Sequence, residues 1–320
     1  MQDILLQVQG LVKHFSTKGA KSKKVHALND VSFEVKRGQT FGIVGESGCG
    51  KTTAGRVIMR LIQPTAGEVI FENQPLFKLG RRELKAVRKD IQMVFQDPFA
   101  SLNPRMTIGQ ILTEPLDIHR LGDRSGRREK VREILEMVGL HPSYYNRYPH
   151  EFSGGQRQRI GIARVLVLEP KLVICDEPVS ALDVSIQSQI LNLMDDMQKK
   201  FNLTYIFIAH GLNVVKHISD RIGVMYLGKM VEILSPHELF KNPMHPYTEA
   251  LLSAVPTPDP EKPPKRILLE GDIPSPVNPP PGCCFHTRCP YSRERCITQV
   301  PEPVYYGERM VACHYPLNPI

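Results

Sequence analysis

No apolar run in the 320 residues approaches the ~18 that a membrane-crossing helix needs, so a spanning segment is not expected. The opening residues Met1-Gln2-Asp3-Ile4 lack the basic and apolar stretches of a secretory leader, and a cytosolic location is expected. There is no internal repeat, which argues against a repeat array. Cysteine is scarce through most of the chain, since five of the seven lie between Cys283 and Cys313, and the length excludes a disulfide-held mini-scaffold. The basic clusters Lys21-Ser22-Lys23-Lys24, Arg81-Arg82 and Arg127-Arg128 come without a nucleic-acid-binding signature. They read as solvated loops and helix faces, although a net charge of +8 suits an acidic partner surface.

What is present exceeds the roughly 250–300 residues at which one hydrophobic core stops growing, so at least two structural units are expected. Composition shifts near residue 255: fifteen of the 27 prolines lie from Pro256 onward. Before that point short β-like runs alternate with amphipathic helices, the pattern of an α/β domain with a largely parallel sheet. After it, Pro274, Pro276 and Pro279-Pro280-Pro281 remove backbone donors and fix φ. The tail therefore reads as an extended strap ending in a cysteine-rich knot, with domains expected at 1–255 and 256–320.

The strongest site follows the buried run Phe41-Gly42-Ile43-Val44. Gly45-Glu46-Ser47-Gly48-Cys49-Gly50-Lys51-Thr52 fits GxxxxGK[ST], and Ala54, Val57, Ile58, Leu61 and Ile62 then fall on one face of a helix. Strand, glycine loop and helix come in the order a phosphate loop requires. The glycines let successive N–H groups curl around a polyphosphate while the helix start points its positive end at it. Lys51 supplies a cation for the β/γ-phosphates, the Thr52 hydroxyl is placed to ligate Mg²⁺, and Thr53 completes the set of nucleotide contacts. Cys49 reads as a small filler at a variable position.

A second acidic strand is expected, and Lys171-Leu172-Val173-Ile174-Cys175-Asp176-Glu177 provides it. Asp176 is expected to hold Mg²⁺ through water, and Glu177 to orient or deprotonate the attacking water. Between the two lies Phe152-Ser153-Gly154-Gly155-Gln156, ahead of a helical run, which is either a second anion nest or a plain N-cap turn.

The order of phosphate loop, Ser-Gly-Gly-Gln, acidic strand and later histidine resembles the nucleotide-binding subunits of ABC transporters. The resemblance implies a P-loop ABC ATPase cassette, α/β with a mixed sheet and a helical subdomain at about 97–168, followed here by the proline- and cysteine-rich extension. It implies that two cassettes sandwich ATP, with Ser153, Gly154, Gly155 and Gln156 covering the γ-phosphate on the other subunit. Gln96 matches the glutamine that senses Mg²⁺ and the γ-phosphate, Ser180-Ala181-Leu182-Asp183 the loop that communicates across the dimer, and His210 the switch histidine. Phe15 resembles the aromatic residue on which adenine stacks. Gly211 departs from the pattern, which usually has aspartate there.

His245-Pro246-Tyr247-Thr248, the proline-rich tail and Asp97-Pro98-Phe99-Ala100-Ser101-Leu102-Asn103-Pro104 are similar to oligopeptide and dipeptide importer ATPases, in particular the second of two non-identical ATPases of a dipeptide permease. The partners implied are a second ATPase subunit, two membrane permease subunits and an external peptide-binding protein, with this chain on the cytoplasmic face. Related branches carry nickel or other small solutes. A soluble ABC ATPase acting on nucleic acid fits less well, because only 108 residues separate Gly45 from Ser153 and there is one phosphate loop. An inert binding module conflicts with Glu177.

Cys283, Cys289, Cys296 and Cys313 are spaced C-x5-C-x6-C-x16-C, and clustered thiols in a cytosolic chain are better read as metal ligands than as disulfides. Zinc and an iron–sulfur cluster both accept four thiolates, and the spacing does not choose between them. The family resemblance points to a 4Fe–4S cluster, and its Gly-Cys-x-Phe pattern selects Cys283 over Cys284.

Overall fold

A computed structural model describes residues 3–17, 23–97, 101–255 and 267–318. Lys21 and Ser22 of the first basic cluster, Pro98-Phe99-Ala100, and the start of the tail at 256–266 lie outside the described residues. Packing divides the chain into two units, one formed by Met1–Val35, Thr40–Phe77 and Ile208–Ile320, the other by Lys36–Gln39 and Lys78–Phe207.

The first unit carries two sets of strands. β1 (Ile4–Ser16), β2 (Lys24–Lys36), β4 (Ala66–Phe71) and β5 (Gln74–Pro75) form a sheet in the order β2-β1-β4-β5. β1 and β4 run antiparallel with Leu6 opposite Phe71 and Val8 opposite Val69. Leu6, Val8, Val69 and Phe71 are all buried, as the two-residue alternation of a sheet with one covered face requires. β3 (Thr40–Val44) pairs parallel with β9 (Arg221–Tyr226), which pairs antiparallel with β10 (Lys229–Leu234). All five residues of β3 are buried, which explains why it reads as a continuous apolar run.

The tail adds strands that the sequence reading lacks. β11 (Val304–Tyr306) and β12 (Arg309–Val311) form a hairpin, and β12 pairs antiparallel with β10, Glu232 opposite Val311. Further inward contacts fix the strap: His26 N–H donates to Pro276 O at 2.8 Å and Leu317 N–H to Met244 O at 2.9 Å.

In the second unit β6 (Ile91–Val94), β7 (Leu172–Asp176) and β8 (Thr204–Ile208) lie in the order β6-β7-β8. β6 and β7 are parallel, with Val94 opposite Cys175. Helices Ile108–His119, Arg124–Met137 and Gly154–Leu166 pack on one another, and Ile111, Leu112, Val131, Leu135 and Ile162 on them are buried. Among the described residues no helix is long and apolar enough to cross a membrane.

Candidate functional site

The phosphate loop lies in the first unit, between β3 and the helix Lys51–Ile58. Gly45 (φ 152°), Gly48 (φ 77°) and Gly50 (φ 109°) take backbone angles that side chains rarely adopt. A Cβ on Gly45 would lie 2.2 Å from the Met225 carbonyl oxygen, and one on Gly50 2.4 Å from that of Ala27, so close backbone approach demands glycine as well. Gly50 is the N-cap and makes no side-chain cap, so the positive end of the helix is directed at the loop. The helix ends sooner than the apolar spacing predicts. Arg60 turns left-handed (φ 51°), and Leu61 is 48% exposed instead of continuing the buried face.

Lys51 is 5% exposed, and its Nζ donates to Gly45 O at 2.7 Å and Glu46 O at 3.1 Å. The third donor faces Cys49 Sγ at 3.9 Å, a weak acceptor that a phosphate oxygen readily replaces. Burial raises the Cys49 thiol above its ordinary range against the lowering effect of Lys51, which leaves Cys49 a neutral filler. Ser47 and Gly48 form the exposed tip, and Thr52 and Thr53 are half-buried on the first helical turn. Elsewhere in this unit Phe15 is 37% exposed on β1, with the Lys13 ammonium 4.9 Å from its ring centroid. His210 is exposed just past β8. Gly211 caps the helix Leu212–Ile218 without a side chain, and its ordinary φ of −92° does not require glycine.

In the second unit β7 ends on Asp176, which is 1% exposed. Glu177 follows in the left-handed conformation (φ 48°), a strain of about 1–3 kcal/mol for a residue with a Cβ. This turn swings its carboxylate clear of the strand, where Oε2 accepts a hydrogen bond from Gln96 Nε2 at 2.8 Å. The parallel register of β6 and β7 is what brings these two residues together, 81 positions apart in sequence. Cys175 is fully buried and its thiol is pushed up by burial, as befits a core residue.

Ser153 is the N-cap of Gly154–Leu166. Its Oγ accepts from Gln156 N–H at 3.4 Å while its own N–H donates to Gln156 Oε1 at 3.1 Å, a closed capping box. Gly155 serves close packing, since a Cβ there would meet Ile186 Cγ2 at 2.6 Å. Asp183 caps the next helix, Val184–Phe201, accepting from Ile186 N–H at 2.9 Å.

Sequence reasoning missed the residues that hold the phosphate loop from behind. Tyr247 Oη accepts the Glu46 N–H at 2.9 Å, and Arg288 forks the Glu46 carboxylate. The one signal available was Glu46 itself, an acid inside a loop suited to polyanions, which calls for a facing cation.

All seven cysteines are free. Cys283, Cys289, Cys296 and Cys313 line one small cavity together with His245 and His314. Gly282, left-handed at φ 67°, draws Cys283 N–H to Cys296 O at 2.8 Å; a Cβ there would lie 2.4 Å from that oxygen. Hydrogen bonding from Cys284 and His245 lowers the Cys283 thiol, while burial pushes Cys289 up to about 11 and Cys313 up to about 12. Cys284 faces the Tyr226 carbonyl oxygen instead, at 3.9 Å. Among the described residues no three His, Cys, Asp or Glu side chains are grouped so as to hold a metal ion, so the expected metal centre has no preformed single-ion site.

The family described as "ABC transporter" matches residues 28–180, and that described as "Oligopeptide/dipeptide transporter, C-terminal region" matches 231–296. The chain is 56% identical over 321 residues to the oligopeptide transport ATP-binding protein AppF of Bacillus subtilis, covering 98% of each chain. It is 55% identical over 298 residues to a putative peptide import ATP-binding protein of Brucella ovis, covering 93% of each. Among solved structures, the dimeric post-hydrolysis state of an ATP-binding cassette bound to ADP and Pi matches at 30% identity and a TM-score of 0.66, over 72% of this chain and 99% of that one. The structure of cbiO1 from Clostridium perfringens, part of the ABC transporter complex cbiONQ, matches at 29% identity and the same TM-score, over 75% of this chain and 92% of that one.

Proposed function

Because this chain belongs to the ATP-binding subunits of ABC transporters, in their oligopeptide/dipeptide branch, we propose that it hydrolyses ATP to drive import of oligopeptides or dipeptides. The observation that carries this reading is the match to a peptide-transport ATP-binding protein along nearly all of both chains, tail included. The chain acts at the cytoplasmic face of the membrane with a second ATPase subunit, two permease subunits and an external peptide-binding protein.

In this reading the phosphate loop and the start of Lys51–Ile58 bind the polyphosphate, with Lys51 moving from the loop carbonyls onto phosphate oxygens. Mg²⁺, when bound, neutralises phosphate charge; Thr52, Gln96 and Asp176 are the oxygen donors suited to it. Glu177, oriented by Gln96, takes the proton of the attacking water. His210 contacts the γ-phosphate, Phe15 carries the adenine, and the Ser153–Gln156 turn closes over the nucleotide of the partner ATPase. The test is transport: reconstituted with its permease, the wild-type chain should hydrolyse ATP faster when binding protein delivers peptide. Stimulation by nickel or another small solute instead overturns the peptide assignment.

Cys283, Cys289, Cys296 and Cys313 are proposed to hold a 4Fe–4S cluster. In support, the four line one cavity, with Cys283 and Cys296 buried and Cys289 and Cys313 half-buried. A cluster needs thiolates spread around four irons and does not require donors converging on a single point. Its chemistry here is cross-linking of a tail with little core of its own, and no step of hydrolysis runs through it. Anaerobically purified protein should be brown, with about four irons per chain. Colourless protein holding zinc and no iron overturns this assignment and leaves the ATPase reading standing.

A further inference from the structure

Among the described residues, one charged residue of the tail, Arg288, reaches the phosphate loop. Arg288 ends the short turn His286–Arg288, its N–H bonded to Phe285 O at 3.0 Å. Its side chain is 9% exposed, and the guanidinium grips Glu46 with both arms: Nη1 to Oε2 at 2.8 Å and Nη2 to Oε1 at 3.2 Å. Nη1 also donates to Tyr226 Oη at 3.4 Å. A bidentate arginine–carboxylate pair is the strong and directional form of this contact. Behind it Tyr226, Tyr247 and Phe285 pack as a trio, with ring centroids 4.6 Å, 5.2 Å and 5.4 Å apart. Tyr247 takes the Glu46 backbone N–H, so side chain and main chain of this one loop residue are both held from the C-terminal part of the unit. The strap Ile273–Pro276 faces Glu46, Ser47, Gly48 and Cys49 across a cavity of about 250 Å³.

An acid immediately after the first glycine of a polyanion-binding loop is electrostatically adverse, because an unpaired carboxylate there repels every phosphate charge. We infer that Arg288 is a positioning residue of the nucleotide site: it neutralises Glu46 and sets the front of the loop, so that ATP affinity depends on the docked tail. This rests on the reading of Gly45–Thr52 as the ATP site. Arg288 touches no phosphate in this scheme and acts only through Glu46.

Calorimetric binding of ATP and of ADP to the full chain tests it. Arg288→Ala should weaken ATP binding about tenfold. ADP, with less phosphate charge, should lose less. Arg288→Lys should recover part of the loss. Adding Glu46→Gln to Arg288→Ala should bring ATP affinity back to within about threefold of wild type, because the charge that needed neutralising is gone. If Arg288 merely braced the fold, that second substitution would not restore binding. Circular dichroism melting establishes that each variant is folded, and Arg288→Gln replaces the alanine variant with the same expectations if alanine does not fold. Unchanged ATP affinity in the folded single variant, or a double variant as weak as the single, overturns the inference. Wild-type protein without ATP affinity overturns the phosphate-loop reading itself.

Discussion

Two glycine-rich turns precede helices in this chain, and they are built in opposite ways. At Gly45–Lys51 three glycines occupy left-handed angles, no side chain caps the helix, and the turn is braced by residues about 200 positions away. At Ser153–Gln156 neither glycine is left-handed, and Ser153 and Gln156 close a capping box on each other. The first turn leaves its helix start without a side-chain cap, which suits an anion. The second is complete without a ligand, and its serine hydroxyl keeps only its own hydrogen to offer a phosphate. Glycine in sequence thus has two meanings: backbone shape at Gly45 and Gly50, and helix contact at Gly155 against Ile186.

The division between binding and chemistry is tested most severely at Glu177. Glu177→Gln should retain ATP binding while turnover falls about 10²-fold or more, as loss of a positioned base predicts; wild-type turnover would remove Glu177 from that role. Next comes Gly45→Ala, whose Cβ collides with the Met225 carbonyl. Overpacking of about 1–3 kcal/mol should raise the dissociation constant for ATP about tenfold or more. Gly155→Ala should behave differently, costing about 1–2 kcal/mol in urea unfolding through displacement of Ile186. ATP-dependent dimerisation should weaken in that variant while the isolated chain keeps its ATP affinity; loss of that affinity would show that the two turns are not independent. The smallest effect belongs to Gly211→Asp. A Cβ there meets only Val214 at 3.9 Å, and a carboxylate can cap Leu212–Ile218, so unfolding should become harder by about 0.3 kcal/mol.

The parts legible in sequence are those whose physics is contiguous. Strand, glycine loop and helix follow one another directly, as do the buried run into Asp176-Glu177 and the serine cap four residues long. What sequence did not reveal is held by long-range pairing. Glu46 meets Tyr247 and Arg288 across 201 and 242 residues, and nothing near Arg288 marks it as a partner for a loop so far upstream. His245-Pro246-Tyr247 was recognisable only by resemblance, although Tyr247 proves to be fully buried against the loop's backbone. The apolar spacing through Leu61 and Ile62 overran the helix because a single left-handed residue, Arg60, stops it four residues ahead of Pro64, the first proline after the helix.

The hairpin β11–β12 has a consequence for handling the protein. β10 has five consecutive buried residues, Met230 to Leu234, and β12 occupies the side of it away from β9. A chain cut back to residue 255 would leave that side as an open row of N–H and C=O groups on an apolar strand, a template for pairing with any other chain. Such a fragment should aggregate in proportion to its concentration even where its nucleotide loop is intact, so the tail acts as a guard against self-association.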